Sequence, residues 1–201
     1  MKQEGLTKKY KVRKIRYQYI RAERQPGELI EIDTKYVPGR VANKRYYQYT
    51  AIDAASRWRH MEIYGEQSGW HACLFLEEVR ARFAHKIQAV KTDNGFIFTN
   101  RCTGTYRRLD RMPRGVHAFD RFCNKYNIIH CLIDPGKPAQ NGTVERSHRE
   151  DQEKFYERFS FVSLRDLRRK MTIWNNYYNN LEHCGLNGKT PNEFLADYIN
   201  K

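Results

Sequence analysis

Two hydrophobic rhythms run along the chain. In "ELIEIDTKYV" apolar positions fall at Leu29, Ile30, Ile32 and Val37 among β-formers, which predicts a strand. "KRYYQYTAIDAAS" and "RWRHMEIYG" continue the pattern, with Asn43 and Lys44 near the first hairpin turn. Three such runs predict an antiparallel meander.

The period then lengthens. In "SGWHACLFLEEVRARFAHK" apolar residues recur at Trp70, Cys73, Leu74, Leu76, Val79 and Phe83, which predicts an amphipathic helix capped by Ser68. "IQAVKTD" reads as a fourth strand, stopped by Asn94-Gly95. "VHAFDRFCNKYN" reads as a helix with Phe119, Phe122 and Cys123 inward, and "IIHCLI" as a fifth strand. A helix between strands predicts a crossover and a mixed α/β sheet.

After the turn-rich "DPGKPAQNG" a helix is predicted from about Thr143. Another follows in "SLRDLRRKMTIWNNYYNN", capped by Ser163 with Leu164, Leu167, Met171 and Trp174 on its inner face. The last lies in "GKTPNEFLADYI", where Thr190 caps, Pro191 takes the first helical position and Glu193 the third.

Charge changes the picture. Of 201 residues, 37 are Lys or Arg against 23 Asp or Glu, a net charge of +14 that points to a polyanionic partner. The basic run "KKYKVRKIRYQYIRAERQ" interleaves cations with tyrosines, as a nucleic-acid-contacting linker or an edge strand would. A second arginine-dense segment, "TNRCTGTYRRLDRMPRG", includes Arg107 and Arg108 and suits phosphate contact. No apolar run reaches the roughly 20 residues of a membrane-spanning helix, and no signal-peptide pattern is seen at the start, so the cell interior is expected. Five scattered cysteines without a CxxC pair fit a reducing compartment and give no zinc site.

Three acids stand out against this basic background. Asp33 interrupts an apolar strand, Asp93 closes "AVKTD", and Glu145 sits in the first turns of a helix after a flexible loop. Carboxylates brought together repel, and hard divalent cations relieve the repulsion. Two such ions about 4 Å apart promote phosphodiester exchange. Each acid also has a simpler reading, as a turn residue, an ion-pair partner or a helix-dipole partner. Asp53, at the end of "YTAID", is as persuasive as Asp33 by pattern alone. His130 and His148 are read as structural or phosphate-contacting groups before any proton-handling role.

The ordered words "GELIEIDTKYV", "YQYTAIDAASRW", "KTDNGFIFTN", "PGKPAQNGTVERSHR" and "YYNNLEHCGLNGKTPNEF" resemble the catalytic core of retroviral-integrase-like transposases from bacterial insertion sequences. The resemblance runs from about Pro26 to Tyr198. It implies an α/β fold of the RNase H-like kind, a five-stranded mixed sheet flanked by helices. It also implies an Asp-Asp-Glu triad, two Mg²⁺ or Mn²⁺ ions, and cleavage and strand transfer at transposon ends. The matching positions are Asp33, Asp93 and Glu145, while Asp53 matches a common non-catalytic position.

DNA, both transposon ends and target, is the implied partner, with a homodimer or higher assembly forming on it. The setting implied is the bacterial cytoplasm, at the nucleoid. Around the triad, Lys35, Asn94, Lys137, Asn141, Arg146, His148 and Arg149 are candidate DNA contacts, together with Arg107 and Arg108.

The organisation expected is a basic arm or linker over 1–25, the catalytic core over 26–162 with an Arg-rich insertion near 100–116, and a helical extension over 163–201. Two departures from the resembled pattern are visible. Asp93 and Glu145 have 51 residues between them, more than is common, and the excess falls in the Arg-rich segment. Glu182 stands where relatives usually carry Arg before His. The chain begins in what resembles the linker that follows a helix-turn-helix region, so recognition of end sequences is not expected of this segment.

Overall fold

Strand β1 (Ile30–Tyr36) is the middle member of a five-stranded sheet in the computed structural model, which describes residues 24–100 and 115–199. The order is β3-β2-β1-β4-β5, with β2 spanning Tyr47–Asp53, β3 Arg59–Tyr64, β4 Ala89–Thr92 and β5 Ile129–Leu132. The expected meander is present: β1 pairs antiparallel with β2, and β2 with β3. β4 then joins β1, and β5 joins β4, both in parallel. Parallel neighbours need a crossover. Helix α1 (Gly69–Arg82) supplies one between β3 and β4, and α2 (Ala118–Lys125) lies between β4 and β5. The sheet is therefore mixed, as expected. Most of the basic arm and nearly all of the Arg-rich segment, with Arg107 and Arg108, lie outside the described residues.

Pleating divides β1 between two environments. Ile30 and Ile32 enter a core with Tyr49, Ala51, Val90 and residues of α1 and α2, among them Phe75, Leu76, Val79 and Phe119. Each fully buried side chain of this size contributes ~1.5–3 kcal/mol relative to exposure. Glu31, Asp33 and Lys35 take the alternate positions and share the other face. There Val37, Met61 and Ile63 pack with Phe155, Tyr156, Leu167 and Met171. Phe155 and Tyr156 come from the π-helical turn Gln152–Tyr156 that follows α3 (Gly142–Asp151), and Leu167 and Met171 from α4 (Leu164–Asn179).

The expected caps form. Ser68 Oγ accepts the N–H of His71, and Ser163 Oγ accepts that of Asp166. Before α5 (Pro191–Ile199) the Thr190 N–H donates to Glu193 Oε2 at 2.9 Å, and the Glu193 N–H donates to Thr190 Oγ1 at 3.2 Å. The inner face of α1 differs from the sequence reading. Ala72, Phe75, Leu76 and Val79 point inward, whereas Trp70 is 69% exposed and Leu74 39%. The i, i+3, i+4, i+7 series that starts at Ala72 is in phase with the sheet, and Trp70 lies off that stripe.

A polar network holds α3 and α4 to the sheet. Arg59 is fully buried and donates to Ser147 Oγ at 2.8 Å, to Asp151 Oδ1 at 2.9 Å and to Asn175 Oδ1 at 3.2 Å. Its guanidinium also stacks 3.8 Å from the Tyr178 ring centroid. Asp151 accepts further bonds from Gln48 Nε2 and Trp174 Nε1, each at 2.7 Å. A buried ion pair is best tolerated when its remaining polar atoms find partners; these bonds satisfy both Asp151 oxygens, while Arg59 Nη2 has no hydrogen-bond partner among the described residues.

Candidate active site

Strand register separates the two aspartates that pattern alone left tied. Directly opposed residues of an antiparallel pair share a face. Asp33 lies opposite Thr50, on the face covered by α3, whereas Asp53 lies opposite Ile30, on the face of the α1 core. Asp53 is buried, and its carboxylate accepts from the Gly27 N–H at 3.0 Å, the Ser56 N–H at 2.6 Å and Ser56 Oγ at 2.7 Å. It ties the entry to β1 to the turn after β2 and takes no part in the cleft.

Asp33, Asp93 and Glu145 border one open cleft of about 420 Å³ together with Asn94, Gly95, Lys137 and Asn141. Asp33 comes from the centre of β1, Asp93 from the step after β4, and Glu145 from the first turn of α3. Ile30 and Glu31 pair in parallel with Val90 and Lys91, so Asp93 follows Lys91 on the same alternation that sets Asp33 after Glu31.

Backbone donors hold both aspartates. Asp33 Oδ1 accepts the Thr34 N–H at 2.7 Å, and Asp93 Oδ1 accepts the Gly95 N–H at 3.0 Å. A Cβ at residue 95 would stand 2.9 Å from Asp93 Oδ1, so only glycine admits the carboxylate there. Asn94 Nδ2 donates to the Ile133 carbonyl at 2.9 Å and anchors this turn to the end of β5.

The electrostatics follow from burial and mutual repulsion. Burial first, then the charge of Asp93 and more weakly that of Glu145, raise the Asp33 carboxyl to about 7 against the opposing pull of the Thr34 N–H. His148 faces Asp33 from α3, its Nδ1 3.5 Å from Asp33 Oδ2, and its Nε2 meets Thr50 Oγ1 at 3.1 Å. Burial holds the His148 imidazole down at about 4, so it is neutral at neutral pH.

Asn141 is buried, with its Oδ1 lacking a hydrogen-bond partner among the described residues. That oxygen and three carboxylates make an all-oxygen donor set, which fits a hard divalent cation and not zinc. Among the described residues no group of three or more His, Cys, Asp or Glu side chains closes up into a metal-holding cluster. The acids border the cleft without converging on a single point.

The other candidates divide by orientation. Arg146 and Arg149 are exposed on α3, and Lys137 at the cleft pairs with Asp134 at 2.9 Å. Lys35 is half-buried, and its ammonium donates to the His148 carbonyl at 3.1 Å and lies 5.1 Å from the Tyr156 ring centroid. His130 sits apart from the cleft, between Asp120 Oδ1 at 2.6 Å and Thr92 Oγ1 at 2.9 Å.

Sequence reasoning passed over Glu31. Its carboxylate meets Lys91 Nζ at 3.0 Å and the Thr143 N–H at 3.0 Å. The available signal was position: an acid two residues before Asp33 in an alternating strand shares its face.

A sheet of order 3-2-1-4-5 with acids on the central strand, on its parallel neighbour and on a covering helix defines an RNase H-like catalytic core of the retroviral-integrase kind. The chain belongs to that family: the integrase core domain matches residues 23–138, and a second integrase core domain description matches residues 126–191.

Among curated proteins it is 29% identical over 132 residues to the 39.2 kDa protein of insertion element IS476 from Xanthomonas euvesicatoria, covering 65% of this chain and 33% of that protein. It is also 29% identical over 132 residues to the 31.7 kDa protein of insertion element IS407 from Burkholderia multivorans, covering 42% of it. The match thus spans less than half the length of either relative. The fold is shared with a chain of the simian T-cell lymphotropic virus intasome in complex with PP2A regulatory subunit B56 gamma at TM-score 0.66 and 18% identity, over 88% of this chain and 57% of that one. It is shared with the catalytic core of BIV integrase at TM-score 0.61 and 17% identity, over 87% and 97%. The core of HTLV-2 integrase, solved as a dimer with magnesium, gives TM-score 0.59 and 18% identity over 85% and 97%. No described helix is long and apolar enough to cross a membrane.

Proposed function

We propose that this chain is the catalytic core of a metal-dependent DNA transposase or integrase, which cuts phosphodiester bonds at transposon ends and joins the ends to target DNA. One observation carries the reading. Asp33, Asp93 and Glu145 come from three separate elements to border one cleft, where Asp93 and Glu145 add to the burial that raises the Asp33 carboxyl.

Asp33, Asp93 and Glu145 would hold two Mg²⁺ or Mn²⁺ ions, with the Asn141 oxygen beside them. When bound, the ions supply Lewis-acid stabilisation of charge on the attacking and leaving oxygens. The protein's own part is positioning. The Thr34 and Gly95 N–H groups fix two carboxylates, and α3 carries the third. Exposed Arg146 and Arg149, with Lys137 at the cleft, suit backbone phosphates. His148 and Lys35 reach inward and serve the framework of the site. Water attacks in cleavage and a DNA 3′-hydroxyl in joining, so both reactions need the same stabilised geometry. A second copy of the chain is the proposed partner on DNA, because two ends must be handled together.

The test uses labelled DNA with pre-cut and uncut transposon ends in Mn²⁺. The wild-type chain should nick and join. Glu145→Gln should bind DNA with near-normal affinity and form neither product. Full activity in that variant excludes Glu145 from the chemistry. Cleaved products without joined ones would mark a nuclease, and DNA retention without turnover a binding fragment.

A further inference from the structure

The three elements that carry the acids meet at one side chain. Glu31 is 4% exposed near the start of β1. Its Oε1 accepts from Lys91 Nζ at 3.0 Å, and its Oε2 accepts the N–H groups of Thr143 at 3.0 Å and Val144 at 3.3 Å. Glu31, Lys91 and Thr143 each lie two residues before a member of the triad, namely Asp33, Asp93 and Glu145. A single carboxylate therefore ties β1, β4 and α3 together at the same offset from each acid.

Physical chemistry favours each tie. In a strand, residues two apart point the same way, so Glu31 shares the face of Asp33. The first N–H groups of a helix have no partner within it, and a negative charge beside them is stabilising. The residue at the N-cap of α3, Asn141, makes no capping bond with its side chain, so the sheet supplies the acceptor through Glu31. The Lys91–Glu31 pair is mostly shielded from water, with side chains 17% and 6% exposed, and so is screened less than a surface pair. Arg57 adds a second hold on the same helix end by donating to Thr143 Oγ1 at 3.1 Å.

We infer that Glu31 is the positioning residue that sets the spacing of Asp33, Asp93 and Glu145, an inference that rests on the proposed metal-dependent reading. Glu31 is not among the residues that border the cleft, where the proposed metal and DNA contacts lie. It acts by fixing where α3 docks against the parallel pair. The amide of Glu31→Gln can still accept from the helix end, but it presents no charge to Lys91. Lys91→Met removes the β4 tie and leaves the helix contact. Asp53→Asn is the comparison, because it removes another buried charge from the same sheet on its opposite face.

The experiment titrates Mn²⁺ against the full chain and reads two midpoints, that of thermal stabilisation and that of DNA nicking. Outer-sphere groups that orient ligands typically change metal affinity 10- to 100-fold. In Glu31→Gln both midpoints should rise about 10-fold, with most turnover returning at saturating Mn²⁺. Lys91→Met should give a smaller rise in both. Asp53→Asn should lower the melting temperature and leave both midpoints in place. Midpoints within twofold of wild type in Glu31→Gln would overturn the inference. So would an equal shift in Asp53→Asn, which would reduce Glu31 to ordinary stability. If Glu31→Gln is too unstable to titrate, Lys91→Met decides alone by the same twofold criterion. A wild-type chain whose melting and nicking ignore Mn²⁺ overturns the metal-dependent reading itself, and this inference with it.

Discussion

Nδ1 of His148 stands 3.5 Å from Oδ2 of Asp33, and each group is held near its uncharged form. Burial is the first cause in both cases: it drives the acid up to about 7 and the base down to about 4. An ion pair would shift both groups the other way, and neither group is among the causes of the other's shift.

A pH dependence follows for the metal-free chain. Below about pH 4, Asp33 is protonated in folded and unfolded states alike, and it contributes no penalty. Between its ordinary value of 3.8 and about 7 only the folded state keeps the proton. Above about 7 the folded state carries the full cost of a buried, repelled carboxylate. The contribution of Asp33 to stability therefore falls as pH rises across this window. His148 slopes the other way, since its depressed value costs stability as pH falls from 6.5 toward about 4. Comparing Asp33→Asn with wild type isolates the acid, because both keep His148. In urea unfolding with EDTA the two should match near pH 4, and the variant should be more stable at pH 8 by on the order of 2–4 kcal/mol. Mn²⁺ at pH 8 should narrow the gap by stabilising wild type alone.

Gly95→Ala should displace Asp93 without unfolding the chain. The new methyl would lie 2.9 Å from Asp93 Oδ1, and the carboxylate must turn away from the Gly95 N–H. Unfolding free energy should change by roughly 1 kcal/mol. The Mn²⁺ midpoint for thermal stabilisation should rise at least about 10-fold. An unchanged midpoint would show that the carboxylate tolerates rotation.

Asp151→Leu should be among the most destabilising single changes. It leaves the Arg59 guanidinium buried without its counter-charge, strands Trp174 Nε1 as a donor and takes one acceptor from Gln48 Nε2. Removing one partner of a buried pair costs roughly 3–5 kcal/mol. Denaturant unfolding of the variant measures the loss. Arg59→Met combined with Asp151→Leu should recover a large part of it, since no lone charge remains.

Ser163→Ala tests the start of α4. The hydroxyl accepts the Asp166 N–H at 3.1 Å, and its removal should cost about 1 kcal/mol. DNA nicking should be unaffected, because the cap is remote from the cleft. A loss of nicking at full stability would tie α4 to the chemistry.

Local rhythm made the architecture legible. Among the described residues, the five strands and five α-helices stand in the segments where the sequence pattern put them, and Ser68, Ser163 and the Thr190–Glu193 pair cap as their types require. What escaped depended on partners far along the chain. Asp33 and Asp53 looked alike until pairing showed one opposite Thr50 and the other opposite Ile30. Nothing local in "RWRHMEIYG" marks Arg59, yet it is buried through contacts with residues 88 to 120 positions away. Trp70 and Leu74 were counted into the inner stripe of α1 because phase is set by the sheet beneath, which one helix alone does not reveal.

The central strand is made early, whereas the helix bearing the last acid is made more than a hundred residues later. A chain still emerging from the ribosome, at about 5–20 residues per second, passes through a long interval with β1 and β2 formed and no third carboxylate to join them. The topology thus delays assembly of the proposed site until Glu145 has been added, more than a hundred residues after Asp33. Translation products that stop before α3 would lack Glu145, and with it one of the three acids of the proposed site.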